Sequence, residues 1–251
     1  MARRILDIRI YENHGVGQMT AEQRNIFGQI KHDSTAERFA LKLRELELET
    51  GEWDHLYIHL TEQLPAGDIN LRGIGDRVSS VFAGVEDKDL YEIDWNKRLD
   101  FRLKLISDSF YLLSKSQPLD LSKVEKARKL LKEHGQQLEI IQKEKMYKGI
   151  HVIVSHTVNH KSHLYLYVLD PKSGRQGKRQ IADLHKAADA RTLVSRITVK
   201  DGEVLIYPRN SASAQFTRNH YFKELYFDEE FIRVSIEDLL SNHSWDGESR
   251  W

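Results

Sequence analysis

Four histidines, His151, His156, His160 and His163, fall within one short stretch of this 251-residue chain. Neutral imidazole ligates zinc, so two to four of them could hold a divalent metal across the mouth of a hairpin. Asp170 or Asp183 would then serve as a carboxylate ligand, and the chemistry would be phosphodiester hydrolysis. Against this, His151 and His156 have opposite strand parity, and no HxxEH, HExxH or HxHxDH string fixes a geometry. The metal set in this alternative is His156, His160 and His163. A second pair, His55 and His59, would be an HxxxH chelate on a helix, but on a strand the two lie roughly 13 Å apart and cannot share one ion. Other catalytic signatures are missing. There is no GxSxG elbow for a serine nucleophile, and the chain has no cysteine, which excludes thiolate metal sites, cysteine nucleophiles and disulfides. Lys178 follows Gly177, but Lys172 and Arg179 stand where a phosphate loop needs Gly and Ser or Thr, so Walker A is excluded.

The elements that must position these residues are mostly strands. Residues 149–170 read as a β-hairpin: Ile150, Val152 and Val154 alternate with His151, Ile153 and Ser155, and Leu164, Leu166 and Val168 alternate with His163, Tyr165 and Tyr167. Both faces are largely apolar, so both need cover. Residues 4–11 alternate with Leu6, Ile8 and Ile10 on one face and Asp7, Arg9 and Tyr11 on the other, which predicts a half-buried strand. Thr20 to Gln23 has the form of a capping box opening a short helix to about Ile30. Phe39 to Leu48 fits both periods. We assign it to a strand, because Thr50-Gly51-Glu52 reads as a turn and Leu56, Ile58 and Leu60 then form the return strand of a hairpin.

Leu64 to Asp76, with Pro65, Gly67, Gly73 and Gly75, reads as a long surface loop, and Val78 to Val85 is left open between strand and short helix. Leu99, Leu103, Ile106, Phe110 and Leu113 predict an amphipathic helix capped by Asp94 and ending before Pro118. A second helix runs from Asp120 to His134 with Gly135 at its C-cap. After that the pattern is mainly β, with an Asp201-Gly202 hairpin between 193–199 and 203–207. A polar loop at 210–219, a strand at 221–227, an apolar run at 231–236 and a last helix at 235–240 complete it. The expectation is an α+β fold with mainly antiparallel or mixed sheets and two central amphipathic helices packed on them. Its parts are an N-terminal α+β part, 1–135, and a C-terminal β-rich part, 136–251.

Composition narrows the function. Hydrophobic residues at 40%, charged residues at 30% and 4 Pro describe a globular chain rather than a disordered one. No apolar run reaches the ~20 residues a membrane span requires, and MARRILDIRIYEN reads as neither signal peptide nor anchor, so the expectation is a cytoplasmic protein. The 38 basic residues balance the 38 acidic ones, which removes the usual electrostatic case for a nucleic-acid partner; an RNA-binding alternative would use Tyr165, Tyr167, Tyr221 and Phe222 as stacking platforms. Acidic clusters at Glu45–Asp54, at Glu86–Asp89 and at Asp228–Glu230 suggest a docking face for a basic partner.

The stretches ELELETGEWDHLYIHLT (45–61), KGIHVIVS (148–155) and HLYLYVLD (163–170) give the chain an overall plan that resembles bacterial immunity proteins of polymorphic toxins. The resemblance implies a cytoplasmic α+β protein without catalytic motifs or cofactor, acting by stoichiometric inhibition of a cognate toxin domain. Such complexes combine charged steering with aromatic anchors. On that basis the expected partner-binding residues are Glu52, Trp53, Asp54, Tyr57 and His59, with Asp228, Glu229 and Glu230 as a second cluster.

Overall fold

A computed structural model describes residues 2–12, 33–86, 92, 94–221 and 230–241, which fall into two compact units, Met1–Leu138 and Glu139–Trp251. The fold is α+β. The predicted helix at 20–30, the tail, Phe222, Asp228 and Glu229 lie outside the described residues.

In the first unit, β1 (Arg3–Arg4) and β2 (Asp7–Glu12) precede α1 (Thr35–Glu45). That helix corrects the strand expected at 39–48. Its start is fixed by the Asp33 carboxylate, which accepts from the Thr35 N–H at 2.9 Å and from Arg98 and Arg102 at 3.1 Å each. Phe39 and Leu43, spaced by four, are fully buried, so the helical period wins over the alternating one. The end is a Schellman motif: Glu47 takes φ 59°, its N–H donates to Arg44, and the Leu48 N–H donates to Leu43 at 2.9 Å. No glycine marks this stop, which is why the pattern concealed it.

Next come β3 (Glu49–Gly51), β4 (Trp53–Thr61), β5 (Ile69–Ile74) and β6 (Arg77–Gly84). The main sheet has the order β2-β4-β6-β5. Here β4 is no hairpin return; it runs parallel to both β2 and β6, because 39–45 is helical and the short β3 before it pairs with β1. The 64–76 segment, expected as loop, contains β5, antiparallel to β6, and the open assignment at 78–85 resolves as β6. The helices α2 (Trp95–Ser114) and α3 (Leu121–His134) follow, with Asp94 accepting from the Asn96 and Lys97 N–H groups and Asp120 from that of Ser122. A short 3-10 turn, Gly135–Gln137, ends the unit's helical part.

One face of the sheet is core. Ile8, Leu56, Ile58, Leu60, Val81 and Ala83 are all buried, with α1 against β2 and α2 against β5. Phe39 stacks on Phe110 at 6.5 Å between ring centroids, and Trp53 lies 6.1 Å from Phe110.

The second unit opens with the meander β7 (Glu139–Tyr147), β8 (Ile150–Thr157), β9 (Ser162–Asp170) and β10 (Arg175–Leu184), so the 149–170 hairpin is β8 and β9. The short helix α4 (Asp189–Leu193) leads to β11 (Arg196–Lys200) and β12 (Glu203–Tyr207), joined through Asp201 and Gly202, both at positive φ. The chain then forms α5 (Ala212–Tyr221), β13 (Ile232–Ser235) and α6 (Ile236–Ser241), and β11-β12-β13 make a second sheet. The loop expected at 210–219 is corrected to α5: the Ser211 hydroxyl accepts from the Ala214 N–H at 3.2 Å, as an N-cap does. Tyr221 is accordingly helical and does not begin a strand, and the rest of the strand expected at 221–227 lies outside the described residues. Val152, Val154, Leu164, Leu166 and Val168 share one buried cluster with Ile197, Val204, Ile206 and Leu239.

Candidate functional site

Strand parity decides what the first unit's sheet presents on its other face. Since Leu56, Ile58 and Leu60 point into the core, His55, Tyr57 and His59 must point away from it. The parallel register then sets Tyr11 beside His59 and Arg9 beside Tyr57, and β6 sets Phe82 beside His59 and Ser80 beside Tyr57. Tyr11, His59 and Phe82 thus form a row across three strands, each ring half-buried.

The rings touch. Tyr11 stacks on His59 at 5.1 Å with 16° between planes, and meets Tyr57 edge-on at 5.3 Å. His59 lies 5.7 Å from Phe82 and His55 lies 6.2 Å from Tyr57. Two arginines border this layer. The Arg9 guanidinium is 5.8 Å from the Tyr57 ring and binds Asp7 at 2.6 Å. Arg72 is 5.2 Å from the Phe82 ring and reaches His59 Nε2 at 3.0 Å. The bulge between Leu71 and Gly73 puts Arg72 in position for this, as bulges re-aim a side chain.

Of the expected partner-binding residues, Tyr57 and His59 sit at the centre of this face. Trp53 does not. It is fully buried, so the expectation of an exposed tryptophan anchor is corrected. The Asp54 carboxylate, 7% exposed, is bound by His55 Nδ1 and by Arg77 at 2.9 Å. Burial alone would raise the Asp54 carboxyl; the hydrogen bonds from Arg77 and His55 outweigh it and hold the group below the usual carboxylate range. It is therefore a neutralised structural charge and not acidic bait. Glu52 is exposed in the turn before β4. Glu230, in the second unit, is exposed on the wall of a polar pocket.

The histidines of the β8–β9 hairpin separate by environment. His156 is 3% exposed, His160 is exposed, and His163 Nδ1 pairs with Asp183 at 2.7 Å. Among the described residues, no three His, Cys, Asp or Glu side chains form a metal-holding group. The tyrosines proposed as stacking platforms are core: Tyr167 and Tyr221 are 0% and 1% exposed, while Tyr165 is half-buried.

Tyr11, Phe82, Arg9 and Arg72 were not among the expected site residues. The alternation that placed Arg9 and Tyr11 on one strand face was readable, but their adjacency to Tyr57 and His59 depends on parallel pairing, which no local pattern encodes. Compared with known proteins, the chain matches no family model, no curated protein and no solved structure.

Proposed function

We propose that this chain is a non-catalytic binding protein of the immunity type, which inhibits a cognate toxin domain in the cytoplasm by covering it, and that the ring-lined face of the first unit's sheet is the contact surface. The observation that carries this is the layer formed by Tyr11, Tyr57, His59 and Phe82 with Arg9 and Arg72 at its borders. Tyrosine and arginine are the side chains that dominate binding energy at protein interfaces, and they do so from rigid, partly desolvated positions. Ring-on-ring contact holds these side chains in place, so little rotamer entropy remains to be lost on association. The face carries both charge signs in a fixed pair, Arg9 with Asp7, which favours recognition by shape and register over attraction to a purely basic partner.

The test is co-purification from the native host followed by titration of the captured protein against the purified chain. A one-to-one complex, weakened about tenfold or more by Tyr57→Ala and by Arg72→Ala but not by Glu52→Ala, is the expected result. A complex insensitive to both sheet-face variants overturns the assignment of the surface, and failure to recover a stoichiometric protein partner overturns the function.

A further inference from the structure

At one end of the β11-β12-β13 sheet, where β11 begins and β12 finishes, the second unit has a surface pocket of about 440 Å3. Three arginines line it: Arg196 on β11, Arg209 in the segment after β12, and Arg218 on α5. Ser195 and Asn210 add neutral hydrogen-bonding groups, and among the described residues Glu230 is the carboxylate in the lining. Among the described lining residues, three positive charges stand against one negative.

The site is held in shape before any ligand arrives. Arg196 stands directly across the ladder from Tyr207, and its guanidinium carbon lies 4.1 Å from the centre of that ring. Tyr207 is itself packed against Phe231 at 5.2 Å. Stacking fixes the plane of the guanidinium while leaving its edge, where the N–H groups are, for in-plane hydrogen bonds. The backbone closes the rim, with the Ser195 N–H donating to Tyr207 and the Arg209 N–H to Thr192, each at 2.8 Å. Among the described residues, no carboxylate lies within ion-pair distance of Arg196 or Arg209.

We propose that this pocket binds the phosphate monoester group of a small molecule. A monoester carries about −1.5 to −2 at pH 7 and three acceptor oxygens, which fits the positive charge of the described lining and the forks of Arg196 and Arg209, which no described carboxylate holds. A carboxylate would satisfy fewer of these donors. An orthophosphate ion alone would leave most of 440 Å3 empty, so the ligand carries a further body beyond the phosphate. The compact shape also argues against a polymer: the chain's 38 basic and 38 acidic residues balance, and a nucleic-acid backbone is tracked by an extended basic stripe rather than one cup. This inference is independent of the sheet face of the first unit.

The test is calorimetric titration of the full chain with inorganic phosphate, AMP, adenosine and a single-stranded oligonucleotide lacking terminal phosphates. Saturable one-to-one binding of AMP and phosphate, but not of adenosine, is expected. Arg209→Gln and Arg218→Gln, with folding confirmed by circular dichroism, should each weaken AMP binding by about tenfold or more. Arg175→Gln, which removes a pair with Glu237 outside the pocket, and Tyr57→Ala should leave it unchanged. No saturable binding of either phosphate or AMP up to about 10 mM, AMP binding untouched by both pocket variants, or arginine-dependent binding of the oligonucleotide alone would each overturn the proposal.

Discussion

Arg72 and His59 lie 3.0 Å apart, Nη1 to Nε2, and this bond has only one chemical form. A guanidinium donates and never accepts, so His59 Nε2 must be the acceptor and the imidazole must be neutral, with its proton on Nδ1. Burial, and after it the Arg72 charge, lower the His59 pKa from its usual 6.5. The folded state therefore binds this proton more weakly than the unfolded state. Stability from this site is complete above about pH 6.5 and declines as pH falls below it. Imidazole resonances followed by two-dimensional NMR should show His59 titrating below the usual value, and Arg72→Met should move it back up. A His59 that titrates at or above 6.5 in the unaltered chain would contradict the bond.

Protonation of His59 has a further consequence for the proposed contact surface. Below the His59 pKa the Arg72 bond is lost and a second positive charge appears beside the guanidinium, in the middle of the ring layer. Affinity for the protein partner should accordingly fall as pH drops from 7.5 to about 5.5, by a few-fold to about tenfold. A His59→Asn variant should lose most of this dependence. Titrations at three pH values with both proteins would show it, and a flat profile for the unaltered chain would remove His59 from the interface.

Gly177, adjacent to Lys178, has a packing role. A Cβ there would overlap the Leu239 carbonyl oxygen and come within 2.6 Å of its carbon, so α6 can lie on β10 only because the side chain is absent. Backbone cannot swing aside as a side-chain tip can. Gly177→Ala should therefore destabilise the second unit by about 1–3 kcal/mol, the range for overpacking, in urea unfolding. A loss below about 0.5 kcal/mol, the usual limit for a neutral surface change, would mean that the helix shifts freely.

These residues also show what the sequence made legible. The helix from Asp94, the one from Asp120 to Gly135, the 149–170 hairpin and the Asp201-Gly202 turn were readable because caps, turn residues and a clean period coincide there. The helix at 35–45 was not, since Phe39, Leu41 and Leu43 satisfy the two-residue period as well as Phe39 and Leu43 satisfy the helical one, and its stop at Glu47 uses no glycine. That single error misplaced the sheet: with a strand before it, β4 had to be a hairpin return, and Tyr57 then had Trp53 and acidic neighbours in place of Tyr11, Arg9 and Phe82. The outward placement of Tyr57 and His59 was legible because parity is local. Their partners were not, because pairing is tertiary.

Glu47 supports a prediction of its own. It takes the left-handed conformation, φ 59°, that ends α1, and a side chain with a Cβ carries about 1–2 kcal/mol of steric cost there. Its ion pair with Arg4 at 2.9 Å joins two side chains more than half exposed, and such pairs contribute little. Glu47→Gly should hence raise stability by about 0.5–1 kcal/mol despite removing that pair. An unfolding midpoint in urea that shifts downward would show the pair to outweigh the backbone relief.

The carboxylate of Glu139 gives the largest expected effect. It is 1% exposed and accepts from the Ser155 hydroxyl at 2.5 Å, from the Tyr167 hydroxyl at 2.6 and 2.7 Å, and from the Lys178 ammonium at 2.9 Å. Burial, followed by the hydrogen bond to Glu139, raises the Tyr167 phenol well above its usual 10. Glu139→Ala would strand the Lys178 ammonium, itself only 19% exposed, beside two hydroxyls that have lost their acceptor. The cost should be about 3–5 kcal/mol, the range for breaking one half of a buried ion pair. Adding Lys178→Met should restore much of this, because the uncompensated charge is the main penalty and not the loss of attraction. The phenol sets an upper pH limit: its folded pKa is raised, so its contribution is complete below about pH 10 and is lost as pH climbs toward the folded value. Urea unfolding of the single and double variants measures the coupling, and a double variant no more stable than Glu139→Ala would show that the hydroxyls, not the ammonium, require the carboxylate.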